Sequence, residues 1–197
     1  MTKHAETRQP RIIVLLGSPG AGKGTQGRRI ATHFGIPHLS TGQMLRTMVP
    51  RNSDEQQIQQ HILNGGFADD DVMLRWMDDR LGEPDCRSGY VLDGFPRTVV
   101  QAIQFDQRLS QRGQIITAAI LLQVSQSVIM HRLRQRQQME GRRDDREAIL
   151  HKRMELDQAN LGPLTRHYQL ANRLLVIDGE DTVDAVTQQA MQALAMA

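Results

Sequence analysis

The stretch Gly17-Ser18-Pro19-Gly20-Ala21-Gly22-Lys23-Gly24-Thr25 joins an apolar run, residues 12–16, directly to a helix-like segment that opens at Lys23. Glycines at this spacing let consecutive backbone N–H groups converge on an anion without obstruction by Cβ. The following helix presents its positive end, and the lysine adds a point charge. The stretch therefore predicts a phosphate-binding loop after the first strand of an α/β fold, with a polyphosphate as its ligand. The alternative, a glycine-rich strand-to-helix turn that binds nothing, leaves the lysine and the hydroxyl in register unexplained. One detail departs from the general pattern: Gly24 follows the lysine, and the hydroxyl comes one position later, at Thr25.

Outward from the loop, strand-like and helix-like segments alternate. Residues 11–16 read as a buried strand, 23–34 as a helix stopped at Gly35, and 36–39 as a second strand. Ser40-Thr41-Gly42-Gln43 has the spacing of a capping box, which predicts a helix over 41–49. The segment 53–63 is a mostly polar helix whose only apolar stripe is Ile58, Ile62 and Leu63. Residues 69–81 form a helix with Val72, Met73, Trp76, Met77 and Leu81 on one face, Trp76 as a packing residue. Then come a strand at 89–93 ending in the carboxylate of Asp93, a helix at 98–111, a fourth strand at 115–124 and a helix at 127–138. Residues 144–170 form one or two helices, with a break near Gly162 and Pro163. A fifth strand at 173–177 and a helix at 183–195, with Val183, Val186, Ala190, Met191 and Leu194 on one side, complete the chain. Five apolar strands alternating with helices predict a doubly wound, five-stranded parallel sheet.

Composition narrows the class. At 197 residues, 39% hydrophobic and 23% charged, the chain suits one soluble globular domain, and no apolar run reaches the length of a membrane span. The polar start, residues 1–11, lacks the apolar stretch of a signal peptide, so the cytoplasm is the expected compartment. A single cysteine, Cys86, excludes an intramolecular disulfide and a four-cysteine zinc site; it reads as a small packed side chain. With a net charge of +2 and only 4% aromatic residues, there is little to stack or attract nucleic acid.

The form Gly-x-Pro-Gly-x-Gly-Lys-Gly-Thr resembles the nucleoside monophosphate kinases, adenylate kinase above all, and the resemblance extends through nearly the whole chain. Ser40-Thr41-Gly42-Gln43-Met44-Leu45-Arg46 resembles the family's monophosphate-side motif. Leu92-Asp93-Gly94-Phe95-Pro96-Arg97-Thr98, with Gln101 after it, matches the family's most distinctive stretch. Arg132, Arg136, Arg142-Arg143-Asp144-Asp145 and Arg153 are similar in spacing to the lid arginines of short-lid members.

The resemblance implies a P-loop NTPase-like fold in one domain, 1–197, with a mobile monophosphate-binding flap at 40–69 and a short lid at 135–145. It implies reversible transfer of the terminal phosphoryl group of MgATP to AMP, giving two ADP, by a monomer. Gly20, Ala21, Gly22, Lys23, Gly24 and Thr25 are assigned to the ATP phosphates, Arg132 to the ATP base, and the backbone near Asp181 to its adenine. Arg46 and Arg97 grip the AMP phosphate. Thr41 and Gln101, with the backbone at Gly94, Phe95 and Pro96 and the strip Phe67, Ala68 and Asp69, surround the AMP base. Arg136, Arg142 and Arg153 close over the transferring group, and Mg²⁺ is held through water by Asp93 and Thr25. Arg134 and Arg143 read as solvated charges.

The chain departs from the family in three places. Gln43 stands where it usually carries Asp, removing a carboxylate expected to organise the waters of Mg²⁺. Phe67-Ala68-Asp69 replaces a usually aliphatic strip, and Gln137-Gln138-Met139-Glu140 lacks the usual Gly-Glu-Thr type of lid sequence. Two other functions compete: a kinase for another monophosphate such as UMP or CMP, against which Thr41 and Gln101 argue, and a nucleotide-sensing module with weakened catalysis, motivated by Gln43.

Overall fold

A computed structural model describes residues 9–50, 53–66, 69–140 and 147–197. The strands are β1 (Arg11–Leu16), β2 (His38–Ser40), β3 (Gly89–Asp93), β4 (Ala118–Gln123) and β5 (Leu174–Asp178). The helices are α1 (Lys23–Phe34), α2 (Thr41–Thr47), α3 (Ser53–Leu63), α4 (Asp70–Leu81), α5 (Val99–Gln111), α6 (Gln126–Glu140), α7 (Glu147–Leu170) and α8 (Val183–Ala195). All strand pairs are parallel, in the order β2-β3-β1-β4-β5. The chain runs from the central strand β1 out to β2, returns to β3 beside β1, and then reverses direction to β4 on the other side of β1. This is the switch point, where the strand ends of a doubly wound sheet open a crevice.

Alternation along β1 builds two cores. Ile12, Val14 and Leu16 face a layer formed with α4, α5 and α7, through residues such as Leu74, Met77, Phe105 and Tyr168. Ile13 and Leu15 face α1 and α8, through Ile30, Val186, Ala190 and Leu194. Burial on both faces explains why β1 reads as a continuous apolar run. Trp76 packs against the first core, and Cys86 is buried beside Arg80, its thiol pushed up to about 11 by burial. Among the described residues no helix is long and apolar enough to cross a membrane.

Several boundaries differ from those read from the sequence, each for a local reason. The second strand begins at His38, because the N–H of Ile36 is used by the C-terminus of α1, on the carbonyl of Ala31, and Pro37 has none to donate. Helix α2 stops at Thr47, where Met48 turns to extended backbone before Pro50. The fourth strand begins at Ala118, after an exposed Ile115, and α6 runs on to Glu140. The expected break at Gly162 and Pro163 does not occur: α7 is one helix of 24 residues. Pro163 lies on its exposed side, where water can satisfy the freed carbonyl, while buried Leu164 and Tyr168 anchor the far end. The capping box is not formed either. Ser40, at the N-cap of α2, makes no side-chain cap bond, and both Ser40 and Gln43 line the cleft described next.

Candidate active site

The loop after β1 turns beneath the N-terminus of α1. Gly20 and Gly22 adopt φ of 85° and 100°, backbone that L side chains rarely take, and a Cβ at Gly20 would lie 2.9 Å from Leu133 Cγ of α6. Gly22 caps α1 without a side-chain hydrogen bond, which leaves that helix end to an anion. Lys23 folds over the loop, its Nζ donating to the carbonyls of Gly17 at 2.5 Å and Ser18 at 2.9 Å. Burial pushes its pKa down, while the carboxylates of Asp93 and Asp157 act in the opposite sense.

Parallel register brings Asp93 to this loop. It pairs with Leu15 of β1 on one side and Ser40 of β2 on the other, so the carboxylate stands at the strand ends beside the loop. Burial opposes its ionisation, but His38, Lys23 and Arg97 outweigh burial and hold the carboxyl below the ordinary range. His38 Nε2 stands 3.6 Å from Asp93 Oδ2, close enough for charge but too far for a hydrogen bond.

The turn after β3 aims Arg97. Its Nε donates to the carbonyl of Gly94 at 2.9 Å, and its backbone N–H donates to Gln101 Oε1 at 2.7 Å. Gln101 Nε2 donates in turn to Asp70 Oδ1 at 2.8 Å, and Thr98, the cap of α5, accepts from the Gln101 N–H at 3.1 Å and donates to Asp70 at 3.3 Å. These partners fix the orientation of the Gln101 amide, since only its oxygen can accept from an N–H and only its nitrogen can donate to a carboxylate.

Together these elements line a cleft of about 340 Å³. It gathers Gly20, Gly22, Lys23, Gly24, Thr25, Arg46, Asp93, Gly94, Pro96, Arg97, Arg132, Arg136 and Arg153 from the residues singled out in the sequence. Other expected residues stand back from its wall. Ala21 and Phe95 are core residues, Phe95 edge-on to Phe105. Thr41 is 1% exposed, with Oγ1 donating to the carbonyls of Asp93 at 3.3 Å and Gly94 at 3.0 Å; Gln101 is 2% exposed. Asp69 caps α4 by accepting from Asp71 N and Val72 N, and Asp181 is exposed, accepting from Thr182 N. Arg134 is exposed on α6, as its reading as a solvated charge requires. Phe67, Ala68, Arg142 and Arg143 lie outside the described residues.

The cleft also holds residues that the sequence reading did not single out: Arg28, His38 and Asp157. For Asp157 a signal existed. It follows Arg153 by four positions, and such residues share one face of a helix.

Lys23, Arg28, Arg46, Arg97, Arg132, Arg136 and Arg153 face Asp93 and Asp157 across this space. So large an excess of cations, set around a loop of backbone donors at the switch point, defines a nucleotide-binding protein of the P-loop class with room for several phosphates. Comparison with known proteins carries this further. The adenylate kinase family model matches residues 15–173, so the chain belongs to the adenylate kinase family. An adenylate kinase of Rhodopirellula baltica is 41% identical over 174 residues, 88% of this chain and 90% of its own. One from Methylobacterium radiotolerans is 37% identical over 189 residues, covering 92% and 94%, and one from Xanthomonas euvesicatoria 36% over 183 residues, covering 92% and 98%.

Proposed function

We propose that the cleft holds ATP and AMP end to end and moves the terminal phosphoryl group of ATP onto the AMP phosphate, giving two ADP. The observation that carries this reading is that one cleft is lined both by the phosphate loop with Lys23 and by the arginine pair Arg46 and Arg97. The attacking atom is an AMP phosphate oxygen, already anionic, so no general base is needed. The protein's task is alignment and neutralisation of charge.

In this reading the loop from Gly20 to Thr25 and Lys23 hold the ATP phosphates, and Lys23 exchanges the Gly17 and Ser18 carbonyls for phosphate oxygens. Arg132 lies against the ATP base, and the backbone near Asp181 touches its adenine; support comes from Gly179, whose Cβ would lie 3.5 Å from the Ala21 carbonyl of the loop. Arg46 and Arg97 grip the AMP phosphate, while Arg136, Arg142 and Arg153 neutralise the group in flight. Thr41 and Gln101, with the turn Gly94-Phe95-Pro96 and the strip Phe67-Ala68-Asp69, select adenine on the AMP side. For Gln101 to do so, its amide exchanges Asp70 and the Arg97 N–H for the edge of the base.

The flap at 40–69 and the lid at 135–145 close over the nucleotides and exclude water. Support comes from Gly65, after α3, where a Cβ would lie 3.0 Å from the Ile149 carbonyl and 3.1 Å from Arg153 Cγ. The end of the flap thus already rests on the helix that carries Arg153.

Among the described residues no three His, Cys, Asp or Glu side chains gather into a metal cage. The cleft instead is lined by the ionised Asp93 and by Thr25 with its hydroxyl, a donor set that fits Mg²⁺ retaining most of its waters. When bound, Mg²⁺ neutralises charge on the ATP phosphates. Gln43, which also lines the cleft, supplies an amide in place of a carboxylate. The protein acts as a monomer in the cytoplasm.

The test is ADP formation from MgATP with AMP, run beside UMP, CMP and GMP, with Arg97→Ala as control. Turnover is expected with AMP and falls by about 10³-fold or more in the control. Turnover confined to another acceptor moves the assignment to that nucleotide, and binding without turnover leaves a nucleotide sensor.

A further inference from the structure

Of the two carboxylates that the described residues bring to the cleft, Asp93 has a role beside the phosphate loop and Asp157 has none so far. Asp157 projects from α7, four positions after Arg153, and its side chain is only 19% exposed. Its Oδ1 stands 4.0 Å from Arg97 Nη1. That separation makes an ion pair without a hydrogen bond, which binds the guanidinium loosely. Arg97 is held in place by other means, through Nε on the Gly94 carbonyl and its N–H on Gln101. The Asp157 contact is therefore not needed to aim the side chain. A carboxylate among cations that receive phosphates balances their charge when the cleft is empty and repels the ligand when it is filled.

We infer that Asp157 is the counter-ion of Arg97 that the AMP phosphate displaces, and that it sets the affinity of the monophosphate subsite. The inference rests on the reading that Arg97 grips the AMP phosphate. Arg97 trades a loose monoanionic partner for a dianion that accepts several hydrogen bonds, while Asp157 stays nearby and weakens the exchange. Asp157 also supports the positive charge of buried Lys23, so its influence spans both ends of the cleft. Removing its charge should tighten AMP through the phosphate and leave the nucleoside untouched.

The test is calorimetric titration of AMP and of adenosine into wild type, Asp157→Asn, Arg97→Ala and the double variant. Asp157→Asn is expected to bind AMP about fivefold more tightly with adenosine unchanged, and to lower the KM for AMP more than it alters kcat. In the Arg97→Ala background the same substitution should tighten AMP much less, because the shared partner is gone and only the direct repulsion of the phosphate remains. Unchanged AMP affinity in Asp157→Asn overturns the counter-ion role. So does a loss of AMP and adenosine together, as does weaker AMP alone, which would make Asp157 a support for Arg97. Failure of the wild type to bind AMP at all would instead sink the reading on which the inference rests.

Discussion

In the proposed reading, the two ends of the cleft meet phosphate with different parts of the chain. At the loop end, the groups facing the ligand are mostly backbone, positioned by β1, where Ile12, Ile13 and Val14 are fully buried. The positive φ of Gly20 and Gly22 shapes the loop, and Lys23 is its one charged side chain. At the other end the groups are side chains, Arg46 and Arg97, set by a network running from Asp70 through Gln101 to the Arg97 N–H. Helix termini show the same division. Both α1 and α2, which open on the cleft, lack a side-chain cap, whereas Asp69, Thr98 and Thr182 cap α4, α5 and α8 away from it. The uncapped starts of α1 and α2 leave backbone N–H groups available to an anion in the cleft.

The comparison can be broken most severely at Lys23. Replacing it with methionine removes the one charged side chain of the loop itself, leaving Arg28 and Arg132 beside the loop and the backbone donors in place. The expected result is a fall of about 10³-fold in turnover, with ATP still bound and the unfolding midpoint little changed. If ATP binding is lost as well, the backbone donors contribute less than the contrast between the two ends requires.

Gly94→Ala strikes the other end. At φ 85° the new Cβ would lie 2.6 Å from Thr41 Oγ1, forcing both strain and the loss of the Thr41 hydrogen bond to this turn. A destabilisation of about 2 kcal/mol is expected from chemical denaturation, with the KM for AMP rising about tenfold and ATP affinity unchanged. Equal damage to both nucleotides would show that the ends are not independently built.

Asp93, which feels Lys23 on one side and Arg97 on the other, gives the smallest effect and the sharpest one. Its folded pKa lies below the ordinary value, so its contribution to stability is complete above about pH 4 and fades as the pH falls through the folded pKa. The stability gap between wild type and Asp93→Asn should therefore be widest near neutral pH and shrink in acid. A gap that widens in acid would mean that burial, not the neighbouring cations, governs this carboxyl.

Much of the loop end was legible in the sequence because its determinants are contiguous. Strand, glycines, lysine and helix follow one another without interruption, and each constrains its neighbours directly. Arg46, Arg97 and Arg153 were reachable only through motif resemblance, since nothing in the spacing of three distant arginines says that they share a cleft. The misjudged break at Pro163 has the same origin. Local chemistry disfavours proline within a helix, and only the burial of Leu164 and Tyr168 shows why the helix continues.

By itself, then, the sequence determined a phosphate loop, an alternating α/β chain and the cations that a phosphoryl cleft requires. Tertiary structure decided which groups meet. It set Ser40 and Leu15 beside Asp93, engaged the Gln101 amide with Asp70, and brought Asp157 to Arg97. The physical reason is that backbone propensity and hydrophobic period act over a few residues. Ion pairs and hydrogen bonds between α4, β3, α5 and α7 depend instead on strand register and helix packing across the whole chain.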